Sequence, residues 1–356
     1  MAKVWAFCKD VGGANGLAPV LELIRKNDFE IRCFADAGGR GADILKKSGF
    51  EVELADSIVG LTATIDSDVG AVFSTHCSVL GRDVVNYLKN TRLTFVLQDA
   101  LGGMQYIWSH DMIKPNFVFV NDQIDAATVS ALWPDFPRSS IIISGYPALD
   151  SYFNFDVAGK RAKVFEKLGL NENKPVILLA GQWWHSGELA AETVAILNEL
   201  GQDVYFVPRV HPAMKDNTPE ELPVWNQALA DFRSGTLLAD SSSCNIQEVL
   251  AAASIVVSMY STTLMEAAVL RKQNISVLYP NTSMASYHKV TNSEQLPPIV
   301  QLRCSSLATN YGELKYLMKM SLSGKLGLEA AQETSFKIDG QNAKRVADFA
   351  INIIRQ

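Results

Sequence analysis

The chain is poor in the features that mark several large functional classes. It has five cysteines in 356 residues, Cys8, Cys33, Cys77, Cys244 and Cys304, and no Cys-x-x-Cys pair. That argues against a disulfide framework or a zinc finger and predicts reduced thiols in a cytoplasmic protein. No uninterrupted apolar run approaches the ~20 residues that cross a bilayer. The first residues lack the basic region, apolar stretch and small-residue cleavage site of a signal peptide. Positive charge is not in excess: 32 Lys and Arg against 38 Asp and Glu give a net charge of −6. A broad polyanion-binding face is thereby disfavoured, and nucleic acid is not expected as a partner. Peripheral contact with a membrane through a small apolar patch is compatible with this balance. No Asp-x-Asp-like pair stands at a strand end in a convincing setting, so neither a metal nor a bound cofactor is expected.

What the chain does have is alternation. Runs rich in Val, Ile and Phe, at Lys3–Phe7, Phe29–Ala35, Val69–Ser74, Thr94–Leu97, Phe117–Val120 and Ile141–Ser144, are separated by amphipathic segments such as Leu17–Lys26 and Gly41–Ser48. The pattern then restarts, with strands expected at Val176–Ala180, Val204–Pro208, Thr236–Ala239, Ile255–Met259 and Ser276–Tyr279. Helices are expected at Glu188–Leu200, Ile246–Ala253 and Thr263–Leu270, and a last one at Gln341–Ile354. Continuous apolar strands separated by helices imply parallel sheets covered on both faces. The length suits two lobes of about 150–200 residues. The expected fold is therefore α/β, with two Rossmann-like parallel-sheet lobes and a cleft between them. The first lobe is residues 1–150 and the second 151–338; residues 339–356 form a terminal helix.

Ligands of such sheets sit beyond the carboxyl ends of the strands, which singles out a few polar segments. Asp10 to Gly16 follows the first strand; its small residues, Gly13 among them, and Asn15 form either a tight turn or one wall of a ligand cleft. Asp99, after Thr94–Leu97 and beside Gly102 and Gly103, either caps a turn or accepts a proton from a hydroxyl. Asp10 and the strand-end His76 are reserves for that role. Gln182, within Gly181 to Gly187, sits in a segment offering backbone donors to a phosphate, and Trp183 and Trp184 offer an aromatic wall. Arg209 and His211, before Pro212, present a guanidinium fork and an imidazole donor suited to phosphate oxygens. Ser261, Thr262 and Thr263 open a helix whose hydroxyls and N–H groups can hold a diphosphate. Glu266, one turn later, either accepts from ribose hydroxyls or reaches back to Thr263 as a capping residue.

These segments resemble the donor lobe of GT-B glycosyltransferases. Arg209-x-His211-Pro212, Asp240–Glu248, Ala251–Ser254 and Tyr260–Thr263 are similar to teichoic-acid glycerophosphotransferases and capsule-polymerising transferases. Ser261–Ala268 and Gly145-Tyr146-Pro147-Ala148-Leu149-Asp150 are similar to lipid-A-disaccharide synthase. The resemblance implies that His211 and the Ser261–Thr263 turn meet donor phosphates, that Glu266 meets the ribose, and that the terminal helix crosses back to the first lobe. The non-hydrolysing nucleotide-sugar 2-epimerases share this architecture, but their Ser-Gly-Gly turn is absent from Ser258–Thr263. The expectation is a metal-independent glycosyltransferase that moves a sugar or related group from a nucleotide-activated donor to a hydroxyl acceptor, in surface polysaccharide or glycoconjugate synthesis. Asp99 and His211 are its candidate catalytic residues. The alternatives are an epimerase or hydrolase of the same fold, or a non-catalytic nucleotide- or sugar-binding protein.

Overall fold

The structure, a computed structural model, describes residues 3–62, 69–99, 104, 108–109, 111–211, 214–241 and 243–356. The expected roles of Gly102, Gly103 and Pro212 lie outside the described residues. The chain divides into two compact units. The first holds the residues up to Phe153 with Thr291–Ser293 and Lys337–Gln356, and the second holds Asn154–Val290 and Glu294–Phe336.

The first unit contains a seven-stranded parallel sheet: β1 (Lys3–Cys8), β2 (Glu30–Asp36), β3 (Val52–Ala55), β4 (Val69–Thr75), β5 (Leu93–Leu97), β6 (Phe117–Val120) and β7 (Ile141–Ile143), in the order β3-β2-β1-β4-β5-β6-β7. Successive side chains of a strand point to opposite faces. Val4, Ala6 and Cys8 accordingly enter one apolar cluster, while Trp5 and Phe7 enter another on the other side. Both faces being apolar is why β1 reads as one unbroken hydrophobic run. The terminal helix Asn342–Ile354 adds Ala343, Val346, Ala347, Ala350 and Ile351 to the first cluster, the i, i+3, i+4 spacing of a single helical face.

The Gly-Tyr-Pro segment explains how that helix is held. Gly145 adopts a left-handed φ of +79°, and a Cβ there would collide with Asn342 Oδ1. Asp150 accepts from the Asn342 N–H (3.0 Å) and the Ala343 N–H (2.8 Å), so it caps the first turn of a helix far along the chain. Burial pushes the Asp150 carboxyl above its ordinary range, and those two backbone bonds oppose the shift.

The second unit contains a six-stranded parallel sheet: β8 (Val176–Ala180), β9 (Val204–Arg209), β10 (Gly235–Leu237), β11 (Ile255–Ser258), β12 (Gln273–Val277) and β13 (Ser306–Ala308), in the order β10-β9-β8-β11-β12-β13. Its core includes Ile177, Leu179, Phe206, Val257 and Ile275 with Trp225 and Met318 from covering helices. Strand order reverses between β1 and β4 in the first sheet and between β8 and β11 in the second, and a crevice at such a switch point is where doubly wound sheets bind ligands.

Two expectations are corrected. The first helix spans Val11–Arg25, so the residues from Val11 to Gly16 belong to it rather than to a turn before Leu17. Glycine is a poor helix former, but tertiary packing overrides that propensity here: a Cβ on Gly13 would overlap Asp99 Oδ2, and one on Gly16 would press on the Tyr146 ring at 3.1 Å. The strand expected at Ser276–Tyr279 is Gln273–Val277, because the buried Asn274 places its amide on Leu264 O (2.6 Å) and Cys304 O (3.3 Å). Edge strands β3 and β13 add to the strands that the apolar runs imply. No described cysteine is disulfide-bonded.

Candidate functional site

The first sheet's switch point gathers titratable side chains. Asp99, at the end of β5, is 3% exposed, and its carboxylate lies against His76, at the end of β4. The Asp99 N–H also donates to His76 Nδ1 at 3.0 Å. One ring nitrogen cannot serve both contacts in one state. Unprotonated, Nδ1 accepts from the backbone; protonated, it donates to the carboxylate. Gly13 brings Asp99 Oδ2 to the first turn of the helix Val11–Arg25, whose positive end favours the carboxylate anion. Tyr146 Oη donates to Gly12 O (2.9 Å) and Asp99 O (3.2 Å), tying this corner together. Asp10 adjoins it; desolvation first and the Asp99 charge second push its carboxyl above the ordinary range. Asn15, on the same helix, is exposed.

Cys77 completes the corner, with Sγ 3.3 Å from His76 Nε2. Burial, followed by the Asp99 charge, raises its thiol pKa well above normal, so the sulfur is a neutral thiol rather than a nucleophile. His76, Cys77 and Asp99 are the one group of metal-ligand types brought together among the described residues, all ligand atoms lying within 4.8 Å of one another.

The second sheet's switch point gathers donors. Arg209 of β9 pairs with Ala180 of β8, and Ser258 of β11 donates to Ala180 O at 2.6 Å. The residues after these three strands thus emerge side by side. His211 receives the Trp183 indole N–H on Nε2 at 3.1 Å, and the rings meet edge-on. Trp184 packs edge-on against Trp183 and is 36% exposed. Arg209 uses Nη1 for Ser241 O (2.8 Å), Ser241 Oγ (2.9 Å) and Cys244 O (3.3 Å). Ser261 caps the helix Thr262–Val269: its Oγ accepts from Thr263 N–H at 3.2 Å and contacts Thr263 Oγ1 at 3.1 Å. The cap is thus Ser261, and Glu266 lies half-buried one turn along the same helix. Thr262 is exposed.

The segment after β8 differs from what its composition suggests. Gly181 N–H bonds to Arg209 O, Gln182 N–H bonds to Ser186 Oγ at 2.6 Å, and Glu221 accepts from His185 N–H and Gly187 N–H, each at 2.8 Å. Four of the segment's backbone donors, those of Gly181, Gln182, His185 and Gly187, are thus engaged by the protein itself. Glu221 lies 34 residues beyond Gly187, so no local pattern announces it. Tyr146 was likewise visible only as part of a turn motif.

Two Rossmann-like parallel-sheet units define a GT-B-like fold. The comparisons narrow the class. A profile of the CDP-glycerol:poly(glycerophosphate) glycerophosphotransferase family matches residues 105–283, half of the chain, and the chain belongs to that family. Among solved structures it is similar to UDP-GlcNAc 2-epimerase from Neisseria meningitidis bound to UDP-GlcNAc, at 14% identity and a TM-score of 0.73, over 99% of this chain and 100% of that one. It is similar to S. aureus MnaA in complex with UDP, at 15% identity and a TM-score of 0.71, over 100% and 98% of the two chains. It also resembles the wall teichoic acid polymerase TagF, at 14% identity and a TM-score of 0.60, over 98% and 88%. At these identities the likeness is one of fold. A search of curated proteins finds no match. No helix among the described residues is long and apolar enough to cross a membrane.

Proposed function

We propose that this transferase moves a glycerophosphate-type group from a cytidine-diphosphate-activated donor to a hydroxyl acceptor, in the synthesis of a surface polymer. The observation that carries the reading is the second switch point, where His211 and the Ser261–Thr263 helix start follow the two strands that flank β8. Family membership supplies the chemistry of the donor. In this reading His211, Thr262, Thr263 and the Nε and Nη2 groups of Arg209 meet the phosphates, and Glu266 holds the ribose. Gln182, held by Ser186, shapes the neighbouring wall. Negative charge that builds on the leaving phosphate is stabilised by these fixed donors, without a metal or cofactor.

In the first unit, Gly13 and Asn15 border the acceptor, and Asp99 with His76 takes the proton of its hydroxyl. The acceptor oxygen forms a bond to the donor's outer phosphorus and the phosphoanhydride P–O bond breaks. A nucleoside monophosphate leaves with the electron pair. A nucleotide sugar is the second reading: the acceptor oxygen then bonds to the anomeric carbon, and a nucleoside diphosphate leaves.

The released nucleotide separates these cases. The protein is incubated with CDP-glycerol or UDP-GlcNAc, with and without a hydroxyl-bearing polyol phosphate acceptor, and the nucleotides are resolved by chromatography. Acceptor-dependent CMP is expected, at an unchanged rate in a chelator. UDP release would move the assignment to glycosyl transfer, and isomerised sugar nucleotide without acceptor would move it to epimerisation. Saturable binding with no product would overturn the enzyme reading, and loss of activity in chelator would overturn its metal independence.

A further inference from the structure

We infer that His76, Cys77 and Asp99 form a site for a zinc-type divalent cation, which inhibits transfer by occupying the groups proposed above to take the acceptor's proton. The inhibition rests on that reading of Asp99 and His76, whereas the cation site itself does not. Neighbouring parallel strands bring the three side chains together. β4 and β5 pair with Thr75 beside Leu97, and the His76 N–H continues the ladder to Leu97 O at 3.0 Å. His76 and Cys77 follow β4 and Asp99 follows β5, so all three leave the sheet at the same edge. Their backbone is pinned. The Trp108 indole donates to His76 O at 3.2 Å, and Ser78 caps the helix Val79–Leu88.

The ligand set lacks a positive centre. Asp99 is buried, and neither carboxylate oxygen receives a hydrogen bond of good geometry, although Oδ1 lies against His76 Nδ1. A buried carboxylate is costly unless something pairs with it. His76 Nδ1 accepts from the Asp99 N–H, so in the neutral ring its lone pair and the carboxylate crowd each other. A cation between them removes the conflict by taking the nitrogen, the oxygen and the Cys77 sulfur as ligands. Sγ lies 3.9 Å from Nδ1, and the ligand atoms of the three residues all lie within 4.8 Å of one another. Tetrahedral zinc, with bonds of ~2.0–2.3 Å, sets neighbouring ligands roughly 3.5 Å apart, so small side-chain shifts close the site. Nε2, 3.3 Å from Sγ, then carries the ring hydrogen and faces the sulfur.

Charge and softness select the ion. Binding forms metal–N, metal–O and metal–S bonds and releases the thiol proton to solvent, leaving a thiolate and a carboxylate that balance two positive charges. Burial and the Asp99 charge hold the free Cys77 thiol neutral, and a coordinating cation reverses that. Imidazole and thiolate suit zinc and cobalt, whereas magnesium and calcium take oxygen ligands. A carboxylate and an imidazole bound to a cation are poor proton acceptors, so transfer stops while the ion is held.

The test is a cobalt titration of the chelator-treated full chain, read in the thiolate-to-cobalt absorption. One equivalent of cobalt chloride should give that band, zinc chloride should bleach it, and magnesium chloride should leave it unchanged. Cys77→Ser should abolish the band, while Cys244→Ser, at a buried thiol of the second unit, should keep it. Asp99→Asn, which preserves shape and thiol, should weaken cobalt binding at least about tenfold. No band in the wild type, a band that survives in Cys77→Ser, or unchanged affinity in Asp99→Asn would overturn the site. This titration needs no donor, so it stands even if the substrate assignment fails. Kinetics then read the consequence. With CDP-glycerol, saturating zinc chloride should lower the wild-type rate at least about tenfold, and chelator should restore it. Cys77→Ser, measured against its own metal-free rate, should need at least about tenfold more zinc for half-inhibition. Zinc bound with turnover undiminished would overturn the inhibition.

Discussion

The two sheets end in opposite chemistry. Both are parallel, both reverse strand order at one switch point, and both present a strand-to-helix junction there. At the first, the helix start faces the buried Asp99 carboxylate, which contacts the same imidazole nitrogen as the Asp99 N–H. At the second, the helix Thr262–Val269 begins with a serine cap and two threonines beside a histidine whose Nε2 is occupied by an indole. A helix N-terminus attracts negative charge in either place. What differs is that the protein supplies that charge itself at the first and caps the second with a neutral hydroxyl. The same contrast recurs inside the second unit, where Glu221 fills the start of the helix Ser186–Leu200 while a neutral hydroxyl caps the start of Thr262–Val269.

The sharpest way to break the comparison is at Asp99. Asn is nearly isosteric but cannot take up a proton, so Asp99→Asn should lower kcat by about 10²–10⁴-fold, the usual contribution of a general base. Steady-state rates with the donor that supports turnover check this, and near-normal turnover would mean that the first switch point is not the proton-handling end. A smaller effect is expected at the other end. His211→Ala removes one donor to the leaving phosphate and should cost at least about tenfold in turnover. Should His211→Ala leave turnover near normal while Asp99→Asn abolishes it, the phosphate would have to be held elsewhere in the second unit.

The two ends were not equally legible in the sequence. The inner strands announced themselves through runs such as Val-Phe-Val at 118–120 and Ile-Leu-Leu at 177–179, because residues buried on both faces must all be apolar. Edge strands β3 and β13 are short and only partly buried, so they carry little such signal. His211, Arg209 and Ser261 could be picked out because a strand end is a position that sequence periodicity locates. What each does there depended on partners distant in the chain: Ser241 and Cys244 for Arg209, Trp183 for His211, and Glu221 for the segment after β8. The first helix was misplaced at its start for the same reason. Gly12, Gly13 and Gly16 resemble a turn until the Asp99 carboxylate and the Tyr146 ring are seen to need the space.

The smallest predicted effect tests the plugged helix. Glu221 supplies the acceptors at the start of Ser186–Leu200, where His185, in the left-handed conformation at φ +59°, offers no side-chain cap of its own. Losing a cap of this kind costs about 0.5–2 kcal/mol, and Glu221→Ala removes a charge-assisted version that serves two N–H groups at once. A drop of about 1–2 kcal/mol in unfolding free energy is expected, read from the urea midpoint at unchanged slope. Donor KM should change little, because the proposed phosphate site is at the other helix. If Glu221→Ala instead tightened nucleotide binding several-fold, the carboxylate would be a competitor for the phosphate rather than a structural cap. The two helix starts of the second unit would then be alternative anion sites, only one of which the protein keeps closed.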